Sequence, residues 1–203
     1  MDITSEVLER AMSLFDSAGV VTEESGAVLI LGLASTAERN LDDFALEDGR
    51  LVFRGWGKHV KPKLIALRDL LQERGFAAEA VGWWGYPGGD VMQLKRLAVT
   101  AGLGGQGKNT LVLDPQFGPW LRLAAMRTSA PLTPTGPGVY EHRENPLCHS
   151  CDACIDICPV EGLLEPYHLL DPARCLLNID SGIVQDRLGW CLMGCVTMCP
   201  VGR

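Results

Sequence analysis

An α+β chain in two parts is what the sequence predicts, on three observations. All eight cysteines fall in residues 148–203, and none in the 147 residues before them. Residues 1–132 alternate helix-period and strand-like apolar runs, as an α/β unit with its own core would. Residues 129–147 carry Pro131, Pro134, Pro137 and Pro146 with few aliphatics, which suits a linker or a strapped surface loop; the linker is set at 133–147 and the cysteine module at 148–203.

The elements follow in order. Val7, Leu8, Ala11, Leu14, Phe15 and Ala18 recur at helical spacing, so residues 5–18 read as a helix stopped by Gly19. The continuous apolar run from Ala27 to Leu33 has the length of a buried central strand. Residues 37–49 are charged and irregular, and 50–54 form a short strand. Leu64, Ile65, Leu67, Leu70 and Leu71 line one side of a helix over 61–74, with Gly75 as its stop. Residues 76–81 read as a strand and 83–89, rich in aromatics and glycine, as a loop. Asp90 would cap a helix over 91–101. Two further strands, 110–113 and 120–126, are expected to pair as a hairpin across a turn at 114–119.

The cysteines carry the chemistry. Cys148, Cys151, Cys154 and Cys158 stand at C-x2-C-x2-C-x3-C with Pro159 after them, the bacterial ferredoxin run. In that run three thiolates hold one [4Fe–4S] cluster and the fourth ligates a second. Cys175, Cys191, Cys195 and Cys199, the last before Pro200, supply four more thiols, so the count closes on two clusters. Structural zinc prefers C-x2-C pairs separated by a long gap, and a disulfide framework suits small secreted domains. The start, Met1 to Glu6, is acidic and polar, with neither the basic nor the apolar region of a secretory leader. The chain is therefore expected to be soluble, cytoplasmic and oxygen-sensitive. His149 lies inside the cluster loop, but eight thiols already suffice.

With 47% hydrophobic residues the chain can build a core, while its longest apolar runs are far too short to cross a bilayer. A net charge of −7 and a pI of about 5.1 argue against a dedicated nucleic-acid surface. Lys58, Lys61 and Lys63 read as a solvated helix face, with a local basic patch as the alternative.

Gly102, Gly104 and Gly107 satisfy G-x-G-x-x-G, but a helix precedes the loop and an extended segment follows it, the reverse of a dinucleotide-binding unit. The stretch also nearly matches a P-loop, with Asn109 where Ser or Thr would hold Mg²⁺. On the residues alone, a tight turn without ligand stands level with a loop whose backbone packs on a large flat ligand or its phosphate.

The segment from Lys95 to Leu111, with Ala101-Gly102-Leu103-Gly104 and Gly107-Lys108-Asn109-Thr110-Leu111, resembles the signature of the epoxyqueuosine reductases and corrinoid reductive dehalogenases. Pro115, Gly118, Trp120, the Pro131-Leu132 pair and the cysteine pattern extend that resemblance. It implies a nitroreductase-like α/β domain binding base-off cobalamin, followed by a ferredoxin-like two-[4Fe–4S] module that feeds electrons to the cobalt. Carried over, Cys148, Cys151, Cys154 and Cys199 would hold the cluster nearer the corrin, and Cys158, Cys175, Cys191 and Cys195 the other. Gly102, Gly104, Gly107, Lys108 and Asn109 would line the corrinoid. Bulky residues at Gly104 or Gly107 would then weaken corrinoid binding and leave iron content intact. The family's catalytic acid sits in a Val-Asp-Thr/Ser-Ala-Pro segment; here Pro87 to Val91 stands in its place, with Asp90 shifted. Tyr86, just ahead of the helix, is the other candidate proton donor, against a packing role in a Trp-rich loop. The chain ends three residues after Pro200, without the helical-repeat extension that grips tRNA in that family, so tRNA is not expected as a partner.

The function expected is a cobalamin-dependent iron–sulfur reductase, drawing electrons from a donor such as ferredoxin or flavodoxin and acting on a small molecule or a corrinoid protein, with no membrane partner. The alternative is a ferredoxin-like electron carrier without substrate chemistry of its own.

Overall fold

A computed structural model describes residues 2–47, 50–81, 93–141, 144–158, 161–163, 167 and 194–202. Along the chain run α1 (Ile3–Leu14), β1 (Ser17–Glu23), β2 (Gly26–Ala34), β3 (Phe44–Glu47), β4 (Arg50–Phe53), α2 (Arg54–His59), α3 (Lys61–Glu73) and β5 (Ala78–Val81). Then come α4 (Leu94–Thr100), β6 (Gly105–Gln106), β7 (Val112–Leu113), β8 (Leu121–Thr128), a 3-10 turn (Pro146–Cys148) and α5 (Ala153–Asp156). Among the described residues no helix is long and apolar enough to cross a membrane.

The main sheet is antiparallel, in the order β1-β2-β8-β5. Successive side chains of a strand point to opposite faces, and β2 is apolar on both, which is why its sequence reads as an unbroken run. Leu29, Leu31 and Leu33 pack with Val7, Ala11 and Phe15 from the α1 side and with Leu64, Leu67 and Leu71 of α3. Val28 and Ile30 pack on the other side with Leu94 and Ala98 of α4, and with Leu103 and Val112. Full burial of a Leu or Ile contributes about 1.5–3 kcal/mol, so this strand anchors two cores at once. The mixed α/β class expected from the sequence is the class observed.

Local signals explain the helix ends. Asp2 accepts from the Ser5 N–H at 3.1 Å and caps α1. Gly75 takes φ +83° after α3, where Gly75 N–H reaches back to Gln72 O at 2.9 Å and Phe76 N–H to Leu71 O at 3.0 Å, a left-handed glycine stop. Other expectations need correction. The first helix ends at Leu14, and Ala18 and Gly19 lie in β1, opposite Leu31 and Ile30. Gly19 is small for packing reasons: a Cβ there would stand 2.6 Å from Ala101 O. The short β3–β4 hairpin and α2 fall where irregular chain or a single strand was expected.

The expected pairing of 110–113 with 120–126 does not occur. β7 pairs with β6, and β8 enters the main sheet between β2 and β5, where Leu121, Ala124 and Ala125 find apolar cover. The turn between them closes on itself: Asp114 and Gly118 exchange backbone hydrogen bonds, and Asp114 Oδ1 accepts from Gln116 and Phe117 N–H. The proline-rich stretch is strapped down. Ala130 and Leu132 are buried, and Thr135 bonds Val20 through both its N–H and its hydroxyl, and Ala101 O through the hydroxyl.

Candidate metal centre

The glycine loop forms a small hairpin, and its tip reaches the cysteines. Between β6 and β7 the chain reverses at 107–110, closed by Thr110 N–H to Gly107 O at 2.9 Å and Gly107 N–H to Leu111 O at 2.8 Å. Asn109 Oδ1 accepts from Leu111 N–H at 3.1 Å. Thr110 holds φ +63°, a strained position for a β-branched residue, and its hydroxyl accepts from Lys95 Nζ at 3.3 Å. The strain turns Lys108 and Asn109 into the interior, 8% and 4% exposed.

Both side chains meet the cysteine half. Lys108 Nζ stands 2.7 Å from Asp152 Oδ1, between Cys151 and the helix that carries Cys154. The hydrogen bond to Asp152 is the main cause that raises the Lys108 pKa. Asn109 Nδ2 donates to Cys195 O at 3.2 Å, in the second cysteine set. Lys108 O accepts from Tyr167 N–H at 3.2 Å, and Tyr167 OH accepts from Asn145 N–H at 2.9 Å. Gln106 completes the joint: its Nε2 donates to Tyr167 O, its backbone O accepts from Asn145 Nδ2, and its Oε1 accepts from Tyr140 OH.

Cys148, Cys151, Cys154 and Cys199 line one hollow that is partly open to solvent, with Lys108 and Asn109 on its wall. Cys199 lies 51 positions after Cys148, yet Leu113, Cys148 and Cys199 pack in one buried cluster. Local hydrogen bonds shape the wall: Asn145 Oδ1 caps the turn at Leu147, Cys151 N–H bonds Cys148 O at 3.2 Å, and Cys199 N–H bonds Val196 O at 3.2 Å. Burial pushes the Cys154 thiol up to about 12, and Cys195, Cys148 and Cys199 push the same way. Neutral thiols crowded out of water are poor nucleophiles, whereas a coordinating metal deprotonates a thiol outright. Among the described residues no group of three or more His, Cys, Asp or Glu is placed to hold a metal ion. Four thiols lining one hollow are nonetheless the donor type that iron–sulfur clusters take.

Cys158, whose Sγ accepts from Gly162 N–H at 3.3 Å, and Cys195 do not line the hollow, although Cys195 acts electrostatically on Cys154. Cys175, Cys191, Tyr86 and Asp90, with the Asp90 helix cap, are outside the described residues. The loop glycines face the chain itself. A Cβ on Gly104 would lie 2.3 Å from Leu113 O, one on Gly107 2.8 Å from Asn109 Oδ1, and one on Gly102 3.3 Å from Gly136 Cα. Sequence reasoning missed Asp152, Asn145 and Tyr167. A carboxylate beside Cys151, to match the lone lysine of the glycine loop, was the one available signal.

Comparison with known proteins now bears on the site. No family model matches. An epoxyqueuosine reductase of Listeria monocytogenes is 32% identical over 126 residues, covering 56% of this chain and 31% of its own. One from a Synechococcus species is 28% identical over 161 residues, 77% of this chain and 46% of its own. Over part of its length this chain is similar in sequence to epoxyqueuosine reductases. It spans under half the length of those two relatives. The fold agrees: the epoxyqueuosine reductase of Streptococcus thermophilus superposes with TM-score 0.68 at 14% identity, covering 100% of this chain and 67% of that one. A catabolic reductive dehalogenase in complex with 3-bromo-4-hydroxybenzoic acid gives 0.65 at 14% identity, over 97% of this chain and 31% of that one.

One expectation is overturned here. tRNA was set aside as a partner, but an epoxyqueuosine reductase solved with an epoxyqueuosine-modified tRNA-Tyr stem loop matches 81% of this chain and 54% of its own, with TM-score 0.56 at 20% identity. That expectation rested on the missing extension, with the net charge beside it, and neither decides the question: a net −7 sums a whole surface, whereas an RNA site needs only one face.

Proposed function

We propose that the chain is an iron–sulfur reductase of the epoxyqueuosine reductase kind, with epoxyqueuosine-bearing tRNA as its substrate class. Cobalamin and two [4Fe–4S] clusters are its cofactors, and a ferredoxin or flavodoxin its electron source. The observation that carries the reading is the hollow in which Cys199 joins Cys148, Cys151 and Cys154, the arrangement that crossed ligation in a two-cluster ferredoxin module would require. In this reading those four thiols hold one cluster, and Cys158, Cys175, Cys191 and Cys195 hold the other. The clusters would supply one-electron storage; the chain shields one of them with Leu113 and Val201 and places a cation beside it. Support for cobalamin comes from the likeness to the epoxyqueuosine reductases and from a structural neighbour described as performing B12-dependent dehalogenation, with TM-score 0.55. The glycines at 102, 104 and 107 are occupied by contacts within the chain and supply no open cradle on their Cβ side.

That last observation favours a second reading, an electron carrier that binds no corrinoid itself. One preparation separates the two. Anaerobically reconstituted protein should carry about eight iron and eight sulfide per chain, and titration of cob(II)alamin, followed by EPR, should abolish the nitrogen splitting as the base leaves cobalt. Full iron without corrinoid binding would leave the carrier. Stable zinc and no brown colour would end both readings.

A further inference from the structure

We propose that Lys108, delivered from the glycine hairpin, sets the reduction potential of the cluster held by Cys148, Cys151, Cys154 and Cys199, with Asp152 as its moderator. This rests on the cluster reading above and goes beyond it by assigning a charge to one cluster only. Three observations carry it. Lys108 lines the same hollow as the four thiols. Its side chain is only 10% exposed, whereas Asp152, 2.7 Å away, is 58% exposed. The lysine also comes from outside the cysteine module, 44 positions before its partner.

The unequal exposure decides the sign. Water screens the Asp152 carboxylate more than the Lys108 ammonium, whose side chain is the less exposed of the two and lines the hollow. The net field at the cluster is therefore positive, although the pair is formally neutral. Reduction brings one electron from a low-potential donor, dithionite in the titration, and adds one negative charge to a site that four thiolates already make negative. A fixed cation beside it favours the reduced form, and local charge is among the levers that set such potentials. Cys158 and Cys195, described residues expected to hold the second cluster, do not line this hollow, so the charge acts first on the cluster beside the hairpin.

The test is an anaerobic redox titration of the full reconstituted chain, read by EPR, with iron and sulfide measured on every sample. Lys108→Met should make the cluster harder to reduce, by about tenfold or more in the reduction equilibrium, ~59 mV for a one-electron couple. Asp152→Asn should move it the opposite way, because the ammonium loses its counter-charge. Lys108→Arg should stay near the parent value. Opposite signs at full iron content would bear the assignment out. Unchanged potentials, or shifts of the same sign, at full iron content would overturn it. If Lys108→Met fails to take up iron, the exposed Asp152 variant decides alone. A parent chain that takes up no iron would instead defeat the cluster reading.

Discussion

Replacing Gly118 by alanine tests how the cysteine half is fixed to the sheet. Gly118 holds φ +53° in the turn before β8, and a Cβ there would lie 2.0 Å from Val201 O and 2.6 Å from Val201 C. The contact is reciprocal: Gly202, at φ +78°, would place a Cβ 2.2 Å from Phe117 C. These are backbone atoms on both sides, so no side chain can rotate away. Left-handed geometry costs alanine about 1–2 kcal/mol, and forced separation of packed chain adds about 1–3 kcal/mol. The sum is about 2–5 kcal/mol, much of an ordinary domain's stability. Gly75→Ala is the matched control, because Gly75 has φ +83° with nothing within 4 Å, leaving only the first cost. Pro200 and Val201 line the thiol hollow directly after Cys199, so the displacement should reach the cluster. The assay is the denaturant midpoint with iron retained per chain after gel filtration. Gly118→Ala should lose both stability and iron, and Gly75→Ala a little stability and no iron. If Gly118→Ala keeps full iron and is no less stable than Gly75→Ala, the docking of the 114–118 turn on 201–202 does not hold the site.

Three more outcomes are expected. Cys148→Ala and Cys199→Ala should remove the same EPR signal, because both thiols line one hollow; damage to different clusters would refute the crossed ligation. Asp2 has its pKa lowered, first by the Ser5 side-chain hydrogen bond, so its cap stabilises α1 above the ordinary carboxylate range and that stability is lost as pH falls through the lowered value. Asp2→Ala should therefore be less stable than the parent at neutral pH, and the gap should close in acid, as read by circular dichroism melts. Arg122 grips both Asp42 oxygens, at 2.6 and 2.8 Å, with side chains 20% and 17% exposed. Arg122→Met should cost about 3 kcal/mol in chemical denaturation, since it strands a half-buried carboxylate.

What was legible in the sequence is what has a local period. β2 showed as an unbroken apolar run because both its faces are covered, and α3 as a stripe ending in glycine. The cysteine spacing gave the first motif because three ligands of one hollow lie within seven consecutive residues. Gly19 was misread because a helix stop and a close approach to Ala101 O call for the same residue. The 110–113 segment found the wrong partner because strand pairing is a long-range choice, and Leu113 is better buried against Cys148 and Cys199 than in the main sheet. The partners of Lys108 and Asn109 lie 44 and 86 positions away, beyond any window of periodicity.

Leu113 shows why the glycine loop and the thiols form one physical unit. Its carbonyl sits where a Cβ on Gly104 would be, its side chain abuts Gly107, and the same side chain lines the hollow. A residue larger than glycine at 104 meets the Leu113 backbone, whereas at 107 it meets the end of the Leu113 side chain, and Leu113 packs against Cys148 and Cys199. Substitution at Gly104 should therefore disturb iron content as well as any corrinoid binding. The glycines are small so that the hairpin can lie flat on its own returning strand. That flatness carries Lys108 and Asn109 deep enough to reach Asp152 and the Cys195 carbonyl. A motif that reads in sequence as a ligand-binding loop acts here first as the joint that brings a sheet-borne cation to the cysteine centre.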